Sequence, residues 1–91
     1  MRDINYALML LRANRLEGAR DLLEELLQGD PGNQDILYNL GMCYTELDEP
    51  EKAVETLSEC IKYYPHHSNA YVALGFAYSR LADAELVAVL G

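Results

Sequence analysis

Leu37-Tyr38-Asn39-Leu40-Gly41-Met42-Cys43-Tyr44 is answered 34 residues later by Tyr71-Val72-Ala73-Leu74-Gly75-Phe76-Ala77-Tyr78. At this offset Leu40-Gly41 recurs as Leu74-Gly75 and Tyr44 recurs as Tyr78. Outside the quoted stretch, Ala19 recurs as Ala53, Leu23 as Leu57, Leu27 as the apolar Ile61, and Pro31 as Pro65. One such pair is coincidence, but six pairs sharing an offset make a repeat. A period of this size marks units that stack side by side, because none can bury its apolar face alone.

Each unit carries helical periodicity. Ile36, Leu37, Leu40, Tyr44 and Leu47 fall at spacings of three and four, and Ala53, Val54, Leu57, Cys60 and Ile61 do the same further on. Pro50 suits a first helical turn, where its missing N–H costs nothing. Asp30-Pro31-Gly32-Asn33 forms a turn that offers Asn33 as a cap, and Tyr64-Pro65-His66-His67-Ser68 repeats the punctuation with Ser68 as cap. The expected helices span 2–13, 16–28, 34–47, 50–63 and 69–82, with a stub from about residue 84. Gly41, Gly75, Ala19 and Ala53 are small where two helices must approach closely.

The two stretches Leu37-x-x-Leu40-Gly41-x-x-Tyr44 and Tyr71-x-x-Leu74-Gly75-x-x-Tyr78 resemble the first helix of a tetratricopeptide repeat, with Ala53-x-x-x-Leu57 and Pro65 as the second helix and its terminus. The resemblance covers the whole chain as one domain, 1–91, divided into units 1–33 and 34–67 and an incomplete unit 68–91. The middle unit matches best, with Leu37 where the family often has Trp. The first is degenerate in its leading helix, where Tyr6-Ala7 replaces Leu-Gly and Leu10 replaces Tyr. The resemblance implies an all-α fold, a right-handed α-solenoid of antiparallel helix pairs with about two and a half repeats. A pentatricopeptide array has a similar period but reads RNA, and a simple antiparallel bundle is the other alternative.

Composition narrows the function. Apolar residues make up 51 % and charged residues 24 % of the 91, as in a globular chain. Seven Lys+Arg against fifteen Asp+Glu give a net charge of −8, distributed as −2, −5 and −1 over the three units. That sign opposes nucleic acid and anionic membrane, since phosphate contacts need clustered cations, and disfavours the RNA-reading alternative. There is no apolar run long enough to span a membrane and no signal-peptide cleavage pattern in Met1 to Arg12. Cys43 and Cys60 do not form a disulfide framework. They fit packed thiols in a reducing compartment, so a cytoplasmic location is expected.

No catalytic constellation is present. His66-His67 are adjacent, without the i, i+4 spacing that places two metal ligands on one helix face. The acids Glu24-Glu25 and Asp48, Glu49 and Glu51 fit solvated surface, and no Gly-rich phosphate loop exists. No enzyme activity, metal or cofactor is expected.

The resemblance instead points to the concave side of the superhelix, lined by the first helix of each unit. It assigns there Ile4, Asn5, Leu8, Leu11 and Arg12, then Asp35, Tyr38, Asn39, Met42, Thr45 and Glu46, then Asn69, Val72, Phe76, Ser79 and Arg80. Ile4, Leu8, Leu11, Tyr38, Met42, Val72 and Phe76 make the centre apolar, with Asn39 placed to hydrogen-bond a ligand backbone. Such a surface suits a peptide or the apolar face of a helix, and a protein-interaction scaffold is the expected function. Packing explains Leu8 and Leu11 equally well, whereas Tyr38, Met42 and Phe76 exceed what the core requires. The family's clamp for C-terminal carboxylates needs basic residues on the first and third leading helices. Here Ile4, Leu8, Asn69 and Ala73 stand in those places and only Asn39 agrees.

The incomplete unit ends in Leu86-Val87-Ala88-Val89-Leu90, apolar and without the polar capping helix that normally closes a solenoid. Leu86, Val87, Val89 and Leu90 are therefore candidates for self-association as a homodimer or stack. An alternative is that the chain opens a longer repeat protein or serves as an accessory domain of a larger one.

Overall fold

Asp3 begins the first helix by accepting the Tyr6 N–H at 3.1 Å, satisfying one of the free donors at a helix start. In the computed structural model, which describes residues 2–91, five helices follow in order. They are α1 (Ile4–Arg12), α2 (Leu16–Gly29), α3 (Gln34–Glu46), α4 (Pro50–Tyr63) and α5 (Ser68–Leu90). Pro50 occupies the first turn of α4, and Asn33 caps α3 by accepting from the Ile36 N–H at 3.0 Å. The cap of α5 is His67 rather than Ser68: its Nδ1 accepts the Ala70 N–H at 3.0 Å. The preceding Tyr64-Pro65 turn places that imidazole one residue ahead of the serine.

Helices adjacent in sequence pack as antiparallel neighbours, and α1 meets α3 while α3 meets α5. No contact joins α2 to α4. The leading helices α1, α3 and α5 thus converge on one side, and α2 and α4 splay apart on the other. Leu22, Leu23, Leu40, Leu57, Cys43 and Cys60 are fully buried between them, and both cysteines are free. The molecule is elongated, 46 × 29 × 20 Å, as stacked units require.

The turns inside the first two units share one construction. Asn14 and Asp48, 34 residues apart, are the non-glycine residues with positive φ, at 59° and 61°. Asn and Asp tolerate this left-handed conformation better than other side chains. After it, Arg15 N–H reaches back to the Leu10 carbonyl at 2.8 Å and Glu49 N–H to the Tyr44 carbonyl at 2.9 Å. Both bonds close the end of a helix and turn the chain into the next one.

The third unit departs from the expectation of a helix at 69–82 followed by a stub. Helix α5 runs unbroken from Ser68 to Leu90. The residue matching Asn14 and Asp48 is Ala82, and the residue matching Pro50 is Ala84. Alanine is the strongest helix former and gains nothing from a left-handed φ, so the backbone continues straight. No turn interrupts α5, and Leu86, Val87, Val89 and Leu90 stand 56–82 % exposed on it.

This also separates the two repeated glycines. A Cβ on Gly41 would lie 2.4 Å from Cγ of Leu57, so close packing of α3 on α4 requires glycine. Gly75 has nothing within 4 Å of the equivalent point.

Candidate functional site

On the side where α1, α3 and α5 converge, two open pockets adjoin. One, about 380 Å³, is lined by Leu11, Asn14, Leu16, Tyr38, Asn39, Met42, Cys43 and Glu46. The other, about 220 Å³, is lined by Met42, Thr45, Glu46, Phe76 and Arg80. Met42 and Glu46 belong to both, so the two form a single trough from the end of α1 across α3 to the middle of α5. Helical spacing accounts for this: Tyr38, Met42 and Glu46 succeed one another at i, i+4 and i+8 on α3.

The members differ in how freely they can act. Phe76 is 63 % exposed, a large aromatic ring with no core role. Met42 is half-buried and packs partly on the core, leaving the rest of a flexible thioether in the trough. Tyr38 is also half-buried, and its ring lies 5.0 Å from the His67 imidazole that caps α5. Tyr38 and Met42 are therefore not wholly surplus to packing, whereas Phe76 is. Thr45, placed on the inner face by the repeat register, is buried with its hydroxyl donating to the Gly41 carbonyl at 3.0 Å. Asn39 donates one N–H to the Asp35 carbonyl at 2.8 Å, so its amide oxygen and second N–H remain for other partners.

The remaining candidates lie outside the trough. Ile4 packs partly against the core, Leu8 is half-buried and lines neither pocket, and Val72 is 60 % exposed one helical turn before Phe76. Asn14 and Leu16 were missed as site residues. They enter because the left-handed turn at Asn14 brings the start of α2 back beside α3, a consequence that helix periodicity alone does not convey. The signal was present as an Asn between two helical patterns. Arg80 adds a link between α5 and α3, its Nη1 donating to the Thr45 carbonyl at 3.1 Å.

Nucleophilic chemistry finds no support in the thiols. Cys43 donates its S–H to the Leu16 carbonyl at 3.2 Å, and burial pushes its pKa up to about 11; burial also raises that of Cys60. On the opposite side, acids expected at a solvated surface are tied into the repeat interface. The Tyr44 hydroxyl donates to Glu24, and burial followed by that hydrogen bond raises the tyrosine pKa. Glu49 pairs with Arg20 at 3.6 Å and with Lys52 at 3.6 Å. Among the described residues, no group of three or more His, Cys, Asp or Glu side chains could hold a metal ion, and no helix is long and apolar enough to cross a membrane.

The tetratricopeptide repeat family pattern matches residues 10–74. The chain belongs to the tetratricopeptide repeat family. It is similar to the human interferon-induced protein with tetratricopeptide repeats 2, with 35 % identity over 57 residues, 63 % of this chain and 12 % of that protein. It is also similar to the Arabidopsis thaliana protein CTR9 homolog, with 35 % identity over 65 residues, 71 % of this chain and 6 % of the relative. The phagocyte signaling-impaired protein of Drosophila pseudoobscura pseudoobscura is 29 % identical over 76 residues, 84 % of this chain and 8 % of its own length. The chain thus spans about a tenth of the length of these relatives. Tetratricopeptide repeats are in general modules that bind protein partners and scaffold assemblies rather than enzymes, and the described helices form such an all-α repeat.

Proposed function

We propose that this tetratricopeptide repeat segment binds the apolar face of an amphipathic helix or peptide from a partner protein, in the trough centred on Met42. One observation carries the proposal: the two pockets share Met42 and Glu46, so apolar contact is continuous from Leu11 to Phe76. Leu11, Tyr38, Met42 and Phe76 supply the apolar floor, and Asn39 supplies a free amide oxygen for a backbone N–H. Glu46 borders both pockets within the unit of charge −5, which suits a partner with basic residues flanking its apolar stripe.

A basic amphipathic helical peptide labelled with a fluorophore tests this by anisotropy. Binding should weaken roughly tenfold, about 1.4 kcal/mol, on Phe76→Ala. Unchanged affinity for both Met42→Ala and Phe76→Ala, with circular dichroism intact, would remove the trough as the binding surface.

A further inference from the structure

Helices α3 and α5 are capped at the same place in the repeat by side chains of different chemistry. Asn33 and His67 stand 34 residues apart, as do the residues whose amides they cap, Ile36 and Ala70. The two turns share one geometry: the backbone N–H of Asn33 donates to the Asp30 carbonyl at 3.1 Å, and that of His67 to the Tyr64 carbonyl at 3.0 Å. Asn33 Oδ1 then accepts the Ile36 N–H at 3.0 Å, and His67 Nδ1 accepts the Ala70 N–H at 3.0 Å. An amide oxygen accepts at every pH. An imidazole nitrogen accepts only while it is unprotonated, and histidine as a side chain changes charge between about pH 8 and pH 5.

We propose that His67 makes the start of the third unit pH-sensitive: protonation releases the first turn of α5, while the equivalent turn of α3 stays closed. The protonated ring carries an N–H where the cap needs a lone pair, and it sets a positive charge at the positive end of the helix dipole. Little else holds that turn, since the buried side chains of α5 are those of Ala70, Ala73 and Ala77. The Tyr38 ring, 5.0 Å away, does not oppose the change, because an aromatic face also attracts an imidazolium. Around the half-buried His67 stand Gln34, Tyr63, Tyr64, Pro65 and the exposed His66. The charged residues of the flanking turns are Asp35 at the start of α3 and Lys62 at the end of α4. Among the described residues no carboxylate pairs with either histidine. The cap is therefore complete above the range in which an imidazole titrates, and its contribution to stability is lost as pH falls through that range.

Amide 1H–15N spectra and hydrogen exchange of the full chain, followed from about pH 8 to pH 5, test the proposal. The Ala70 amide should move upfield and its protection should fall about fivefold, while the Ile36 amide does neither. His67→Asn, which gives α5 the cap of α3, should hold Ala70 constant, and His66→Asn should leave the wild-type response in place. An Ala70 amide indifferent to pH overturns the proposal. So does a response that persists in His67→Asn or vanishes in His66→Asn, either of which would assign it to another group. Equal loss of protection at Ile36 and Ala70 would mark general acid unfolding and contradict a local device.

Discussion

Gly41 and Leu57 are in contact so close that a methyl group on the glycine would stand 2.4 Å from Cγ and 2.5 Å from Cδ2 of the leucine. Leu57 is completely buried and has nowhere to retreat. Gly41→Ala should destabilise the fold by about 1–3 kcal/mol through overpacking. Gly75→Ala, at the same place in the repeat but facing open space, should stabilise it by about 0.5–1 kcal/mol through helix propensity. Urea unfolding of both variants checks the opposite signs. Equal destabilisation would mean that Gly75 is already packed.

The turn position offers a second pair of opposite signs. Asp48 holds a positive φ that costs a side-chain-bearing residue roughly 1 kcal/mol, so Asp48→Gly should raise the unfolding free energy by about that amount. Ala82 is helical, so Ala82→Gly should loosen the distal half of α5 by about 1 kcal/mol. Amide hydrogen exchange over residues 83–90 reports the second effect directly. Slower exchange in Ala82→Gly would show that a turn at residue 82 is the stable conformation.

These two pairs mark what was legible in the sequence. The period, the helix pairs and the buried glycine contact all followed from recurring residue types, because stacking units impose the same packing at each recurrence. The end of the third unit did not, since the period was extended past residue 81 although Ala82 and Ala84 no longer carried the chemistry of the turn. In the trough, Tyr38, Met42 and Phe76 are inner-face positions that the family resemblance assigns. Their unequal freedom was not legible, because it depends on where His67 and the core meet Tyr38 and Met42. Glu24 and Glu49 looked like solvated acids, and only the stacking of α2 on α3 brings Tyr44 to Glu24 and Arg20 to Glu49, while Lys52 reaches Glu49 from the first turn of its own helix.

The Cys43 thiol gives stability a defined dependence on alkaline pH. Its native pKa, about 11, lies above its ordinary value of 9.0, because burial disfavours the thiolate. The native chain then holds a proton that the unfolded chain releases. Stability is unaffected below about pH 9 and falls as pH rises toward 11, by up to about 1.4 kcal/mol per pH unit. Cys43→Ala should lower stability at neutral pH and flatten this slope. A thiol reagent at pH 8 should react with neither cysteine until the protein unfolds, and rapid native labelling of Cys43 would contradict its placement.

Binding at the trough should respond to salt as well as to truncation. Glu46 borders both pockets, so Glu46→Gln should weaken a basic amphipathic peptide and reduce the loss of affinity as ionic strength rises. Isothermal titration at two salt concentrations separates this from the apolar contribution of Met42. An affinity indifferent to both Glu46→Gln and salt would show that the partner's charge is not read here.

The most direct test is chemical-shift mapping of the 15N-labelled chain titrated with a basic amphipathic helical peptide. The largest changes should fall on Leu11, Asn39, Met42, Glu46 and Phe76, along the trough from α1 to α5, and should diminish in Phe76→Ala. Changes confined to α2 and α4, or a Phe76→Ala titration indistinguishable from wild type, would place binding elsewhere and contradict the account.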